Sequence, residues 1–328
     1  MNFSTQFKTQ LLDLPHESFE EMAIELFLWQ ALKNPVYKAY IKYLGINPVS
    51  VSSIDQIPCL PIEFFKYHQV VSDAPSIERV FESSGTTGQL RSKHYVTDLL
   101  WYQKVCERIF EQCWGKLKSY HVFALLPSYL ERNNASLVAM ADHFIRQSQS
   151  YLSGFYLDNL STLVQKVEEA RKTERKVLML GVTFALLELA EKYKVEWRDV
   201  IVMETGGMKG RQKEMTRSEV HDRLINRLGV QFVAAEYGMT ELISQAYAKQ
   251  SGKFELPLWM QIQIREIEDP FTYTEVGKQG GINIIDLANV DSCAFIETKD
   301  LGRITKNGHF EVLGRFDNSE VRGCNLMI

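Results

Sequence analysis

The chain has 328 residues, 45% hydrophobic and 24% charged, enough for one large α/β unit or two lobes. A net charge of −4 gives no basic footprint for nucleic acid, no apolar run approaches the ~20 residues of a membrane span, and the first residues lack the apolar core of a signal peptide. Cys59, Cys106, Cys113, Cys293 and Cys324 are scattered without C-x-x-C or zinc-finger spacing, which points to reduced thiols and a cytoplasmic setting.

Residues 17–33 read as an amphipathic helix ended by Asn34-Pro35, and 36–44 continue as a helix to Gly45. A loop punctuated by Pro58 and Pro61 leads to a short strand at 79–81. A helix over 97–114 opens on Thr97-Asp98 and carries an apolar stripe of Leu100, Trp101, Val105, Ile109 and Cys113. A strand at 121–126, a helix near 135–147, a strand at 151–156 and a helix at 159–174 follow. The middle then alternates: strand 176–181, helix 183–193, strand 199–204, helix 211–228, strand 230–235. That alternation with short links predicts a parallel sheet covered by helices. Strands at 258–267, 281–287, 293–298 and 302–314, with a hairpin turn at Asn307-Gly308, predict a β-rich end.

Residues 81–94 carry three hydroxyls and two glycines within Ser84–Gly88, followed by Arg91 and Lys93. Glycines permit sharp turns and close approach, and successive N–H groups with small hydroxyls can cradle phosphate while the cations neutralise it. The other reading is an exposed turn. Walker spacing and G-x-G-x-x-G are both absent. Open α/β sheets bind ligands at the carboxyl ends of their strands. Two strands end there in Glu204-Thr205-Gly206-Gly207-Met208 and Glu236-Tyr237-Gly238-Met239-Thr240-Glu241. The Tyr237 ring can stack on adenine, the glycines can admit a purine edge, Thr240 can bond a phosphate oxygen, and Glu241 is a candidate Mg²⁺ ligand.

Ser83-Ser84-Gly85-Thr86-Thr87-Gly88 resembles the phosphate loop of the adenylate-forming superfamily, and Tyr237–Glu241 matches its Tyr-Gly-x-Thr-Glu motif. Thr205-Gly206-Gly207 resembles the glycine pair beside adenine, Thr298-Lys299-Asp300-Leu301-Gly302 the ribose-binding motif with Lys299 in place of Gly, and Gly314-Arg315-Phe316-Asp317 the hinge. Gly181–Phe184 resembles the segment beside the acyl pocket. Within the superfamily, Pro61–Lys66, Phe81–Gly88, Leu126–Leu130 and Val321–Cys324 resemble the acyl-protein synthetases of bacterial bioluminescence, over nearly the whole chain.

The resemblance implies the large domain of that superfamily over 1–313, with mostly parallel sheets covered by helices (an α/β body, about 1–255) and a β-rich subdomain (about 256–313), then a hinge and tail over 314–328 without the small lid domain. It implies ATP and Mg²⁺, with Ser83, Ser84, Gly85, Thr86, Thr87 and Gly88 on the phosphates. Gly206, Gly207, Glu236, Tyr237 and Gly238 would lie at the base, Asp300 and Arg315 at the ribose, Thr240 at phosphate and Glu241 at the metal. A carboxylic acid, fatty or aryl, becomes acyl-AMP. The acyl group then moves to a thiol, with Cys324 as candidate acceptor, and on to a reductase or acyl carrier protein. The usual lid lysine is not expected here, so Arg91, Lys93 or Arg315 would carry that charge. Two rivals remain: an ATP-independent acyltransferase, and a non-catalytic nucleotide-binding subunit. His68-x₄-Asp73 fits an acyltransferase spacing without its supporting motifs, and Lys209–Arg223 gives one helix a basic bias.

Overall fold

The computed structural model describes residues 2–12, 18–73, 76–84, 90–126, 134–156, 159–206, 215–250 and 252–315. The elements of the first half are α1 (Phe3–Leu11), α2 (Phe19–Lys33), α3 (Pro35–Tyr43), β1 (Leu60–Pro61), α4 (Phe64–Tyr67), β2 (Arg79–Glu82), β3 (Lys93–Val96), α5 (Leu99–Trp114), β4 (Tyr120–Leu125), α6 (Ser136–Ser148), β5 (Gly154–Phe155) and α7 (Leu160–Ala170). The second half adds β6 (Lys176–Gly181), α8 (Thr183–Lys192), β7 (Val200–Glu204), α9 (Arg217–Leu228), β8 (Val233–Tyr237), β9 (Ala246–Ala248), β10 (Lys253–Phe254), β11 (Met260–Arg265), β12 (Gly280–Asp286), β13 (Phe295–Ile304) and β14 (Phe310–Arg315).

The central sheet runs β5-β4-β6-β7-β8-β9. Its first four pairings are parallel, and β9 closes the edge antiparallel to β8. β4 is buried at every position, as an apolar strand covered on both faces should be. The second large sheet runs β10-β14-β13-β12-β11 with antiparallel pairings, and β1 joins β13 in parallel. It therefore draws strands from residues 60–61 and 253–254 and runs on to Arg315, beyond the 256–313 expected. β2 and β3 form a separate hairpin.

Local chemistry sets the ends of the elements. Asp98 caps α5, its side chain accepting from Trp101 N, and Gly115 at φ +91° ends the helix. α9 starts later than the 211 expected, at Arg217, because Thr216 and Glu219 close a capping box; residues 211–214 are outside the described set. β8 lies further on than 230–235 and so carries Tyr237 within it. The strands expected at 293–298 and 302–314 are instead one long β13 followed by β14, with a bulge at Leu301/Gly302 that lets the pairing continue. Gly308, at φ +77°, turns the chain between them. The expected strand at 151–156 shrinks to Gly154–Phe155.

The two large sheets are pinned together below the carboxyl end of β8. Asp286, fully buried at the end of β12, accepts from Ile243 N at 3.0 Å, Ser244 N at 2.9 Å and Ser244 Oγ at 2.7 Å. Trp259 Nε1 donates to the same Ser244 hydroxyl at 2.9 Å. The segment that follows Tyr237 is thus fixed at its far end.

Candidate active site

The β2–β3 hairpin presents the glycine-rich segment. Glu82 lies directly across from Lys93, and Ser83 and Ser92 form the next rung: Ser83 N donates to Ser92 O and Ser92 N to Ser83 Oγ, both at 3.1 Å. Ser84 is exposed just beyond it. Gly85, Thr86, Thr87 and Gly88 lie outside the described residues, as do Gly207 and Cys324. Arg91 and Lys93 are present at the base of the hairpin, and both approach the Glu82 carboxylate, at 3.6 and 4.0 Å.

Thr240 and Glu241 follow β8 and are held through their backbone. His94 Nδ1–H, on β3, donates to Thr240 O at 2.9 Å. Asn289 Nδ2 donates to Glu241 O at 2.8 Å and to Cys293 O at 2.9 Å. His94 is 1% exposed, and burial pushes its pKa down to about 4, outweighing its bonds to Thr240 and Asn289. It is a neutral donor. The Glu241 carboxyl is itself buried, and burial raises its pKa against a hydrogen bond from Ser92 and the charge of Arg315. Ser92 thus ties the base of the hairpin to Glu241.

Tyr237 and Asp300 meet across the two sheets. Tyr237 Oη–H donates to Asp300 Oδ2 at 2.9 Å, and Arg315 Nε lies 3.6 Å from Asp300 Oδ1. Asp300 and Arg315 are register partners on β13 and β14, which is why a carboxylate and a guanidinium fifteen residues apart share one spot. The Tyr237 ring is buried between Phe254 and Phe310, with centroids at 5.8 and 5.6 Å. Asp300 N donates to Thr298 Oγ1 at 3.1 Å, and Lys299, the departure from the ribose motif, pairs with Glu63 of the Pro61–Lys66 segment.

On the other side of β8 sits a pair of carboxyls. Glu204, at the end of β7, accepts from Thr183 Oγ1 at 2.6 Å and Gly206 N at 3.0 Å. Arg217 and His221 of α9 lie 3.9 and 3.5 Å away. Burial works to raise its pKa, but His221, Thr183 and Arg217 together hold it below the usual range. Gly206 adopts φ +76° with open space on its Cβ side. Half-buried Glu236 is the contrast: burial and then the Glu204 charge push its pKa up to about 8.

Among the expected residues, Tyr237, Thr240, Glu241, Asp300, Arg315, Ser83, Lys93 and Arg91 lie on strands or loops linked by these contacts. Glu236 and Gly206 flank them through Glu204. Sequence reading missed Ser92, His94, Glu204 and Asn289. Ser92 and His94 lay within the quoted 81–94 stretch and Glu204 opened a quoted strand end, each without an assigned role, whereas Asn289 had no sequence signal, being 48 positions from its partner Glu241. Two other candidates find other partners where they are described, and Lys209, Arg211 and Lys213 lie outside the described residues. His68 packs on Phe64 while Asp73 pairs with Lys33, and the basic Arg217 and Arg223 of α9 turn to Glu204 and Glu191. Among the described residues no three His, Cys, Asp or Glu side chains form a metal cage. A single buried carboxylate suits Mg²⁺ all the same, since that ion takes one or two carboxylates and completes its shell with phosphate and water.

No protein-family model matches the chain, and no curated protein does. Solved structures share the fold. ATP-bound MatB from Rhodopseudomonas palustris is 16% identical, with a TM-score of 0.56, over 74% of this chain and 50% of that one. A 2-hydroxyisobutyryl-CoA ligase, solved with 2-HIB-AMP and CoA, is 15% identical with a TM-score of 0.67, over 93% of this chain and 70% of that one. The chain therefore spans half the length of MatB, and the likeness establishes the fold of these ATP- and acyl-adenylate-binding proteins.

Proposed function

We propose that the protein activates a carboxylic acid with ATP, giving acyl-AMP and pyrophosphate, and passes the acyl group to a thiol. The observation that carries this reading is the convergence of Tyr237–Asp300–Arg315 with Ser92–Glu241 at the carboxyl end of β8, where the hairpin and both sheets meet. The Asp300 carboxylate is suited to ribose hydroxyls. Thr240, Arg91, Lys93 and the hydroxyls and amides of residues 83–88 would hold phosphates. Gly206, Gly207, Tyr237 and Gly238 would border the base, with the backbone of Glu236 completing that edge while its side chain turns to the opposite face of β8. Glu241 would hold Mg²⁺, which when bound neutralises phosphate charge. The acid's carboxylate attacks the α-phosphorus and pyrophosphate leaves; positioning and charge neutralisation supply the acceleration.

Cys324 is the proposed acceptor: its thiolate attacks the mixed anhydride, AMP leaves, and a thioester forms for a downstream reductase or acyl carrier. Fatty and aryl acids are the proposed substrates, within the acyl-protein synthetase branch. The decisive measurement is ATP–pyrophosphate exchange over a panel of fatty and aromatic acids. Exchange with one of them, lost on chelating Mg²⁺ and lost in Glu241→Ala, is expected. Cys324→Ser should keep exchange and lose stable self-acylation. Nucleotide binding with no exchange for any acid would replace this reading by a non-catalytic one.

A further inference from the structure

Pro61–Lys66 has no task in the proposed function, yet it runs from the strand that carries Asp300 to the histidine that holds Thr240. Leu60 and Pro61 pair in parallel with Ile296 and Glu297 of β13, and Ile62 N donates to Glu297 O at 2.9 Å. Glu63 then pairs with Lys299, the chain neighbour of Asp300. The chain turns at once into α4, with Phe65 N donating to Ile62 O at 3.2 Å and Lys66 N to Glu63 O at 2.9 Å. That turn sets Phe65, 1% exposed, against the His94 ring on β3, with centroids 6.0 Å apart and planes at 90°. Edge-to-face rings at this separation attract each other and favour one mutual orientation.

A histidine ring has a broad choice of χ2, and Nδ1–H reaches Thr240 O, at 2.9 Å, only from a narrow part of it. The Phe65 ring restrains that torsion, and the bond of His94 to Asn289 restrains it further. Asn289 in turn holds Glu241 O at 2.8 Å. We propose that residues 60–65 form a strut between β13 and the Thr240–Glu241 loop, and that Phe65 is a positioning residue for the phosphate and metal end of the site, acting through His94. This rests on the ATP reading of Thr240 and Glu241. The ribose and base end has its own supports, Phe254 and Phe310 around Tyr237 and Arg315 beside Asp300. Loss of the Phe65 ring leaves those supports and the β1 pairing in place, so it loosens one end of the nucleotide and not the other.

The test measures Kd for Mg²⁺–ATP and for AMP by titration calorimetry in wild type, Phe65→Leu and the milder Phe65→Met. Two variants are used so that one folded protein suffices, with folding checked by thermal melt. Kd for Mg²⁺–ATP should rise about 3- to 10-fold, the effect of one weakened hydrogen bond, while Kd for AMP holds. His94→Leu should act in the same way, and adding Phe65→Leu to it should weaken ATP no further, because Phe65 works through that ring. Equal weakening of ATP and AMP, an unchanged Kd for ATP, or additive losses in the double variant overturns the inference while leaving ATP activation standing. If wild type binds neither nucleotide, the functional reading fails, and amide hydrogen exchange decides the strut alone. Faster exchange confined to residues 239–245 in the Phe65 variants upholds it; exchange equal to wild type there, or faster throughout the chain, overturns it.

Discussion

His94 and Asn289 between them fix the carbonyls of Thr240 and Glu241. Asn289→Ala strands two buried carbonyls, those of Glu241 and Cys293, and should cost about 2–3 kcal/mol, read as a lower urea midpoint. A midpoint within error of wild type would mean that water replaces the amide. His94 and Glu236 also give stability opposite pH limbs. The folded pKa of His94 is depressed to about 4, so from the usual 6.5 downwards the unfolded chain takes up a proton that the folded one refuses, and stability falls with falling pH. Glu236 is the reverse. Its folded pKa of about 8 lies above the usual 4.5, so its contribution is complete at acid pH and is lost as pH rises towards 8. Glu204 on β7, Tyr102 and Cys106 on α5 and Tyr247 on β9 are the titratable groups around it. Urea midpoints from pH 5 to 9 should decline less steeply in Glu236→Gln than in wild type. The slope will not vanish, because burial also raises Glu241, Asp286 and Glu297. Equal slopes would assign the limb to those three.

β13 is where an element matters more than its motif. Asp300 reaches Tyr237 and Arg315 only because the strand runs unbroken from Phe295 to Ile304. The bulge at Leu301/Gly302 absorbs the irregularity, and Gly302 lets neighbours come close: a Cβ there would lie 2.6 Å from Glu311 O and 2.7 Å from Ile282 Cδ1. Gly302→Ala must push β14 or Ile282 aside, with an expected loss of about 1–3 kcal/mol in thermal or urea unfolding. Because Asp300 is two residues away, the KM for ATP should rise while that for the acid holds. A stable variant with unchanged ATP dependence would place Asp300 outside the nucleotide site. The Thr298–Gly302 motif was legible in the sequence, as were strand up to 298 and strand from 302, but not their continuity: Asp300 is a poor strand former, and tertiary pairing overrode that local preference. The start of α5 fared better because a cap is a local signal, Asp98 accepting from Trp101 N, whereas the capping box of Thr216 and Glu219 that sets the start of α9 went unread.

Long-range pairing decides the whole molecule, and single-sequence periodicity carries no trace of it. The motifs around Tyr237 and Asp300 could be read individually, but nothing local says that positions 63 apart share a hydrogen bond, or that Lys8 of α1 reaches Asp98 and Asp291 at 3.0 and 2.6 Å. The Tyr237–Asp300 bond joins the parallel sheet to the antiparallel one at the proposed ribose site. It has a dual role: removing it loosens a seam and frees the carboxylate that ATP would use. Tyr237→Phe separates the two effects, since the ring keeps its packing on Phe254 and Phe310 while the O–H is lost. A hydrogen bond to a charged group is worth about 1.5–3 kcal/mol, so the melt should move down. If Tyr237 also orients Asp300 for the ribose, the KM for ATP should rise about tenfold with less change in kcat, and the discrimination of ATP over 2′-deoxy-ATP should shrink. A lower melting temperature with that discrimination intact would reduce the bond to a structural clasp and leave Asp300 to be aligned by Arg315 and the β13–β14 register alone.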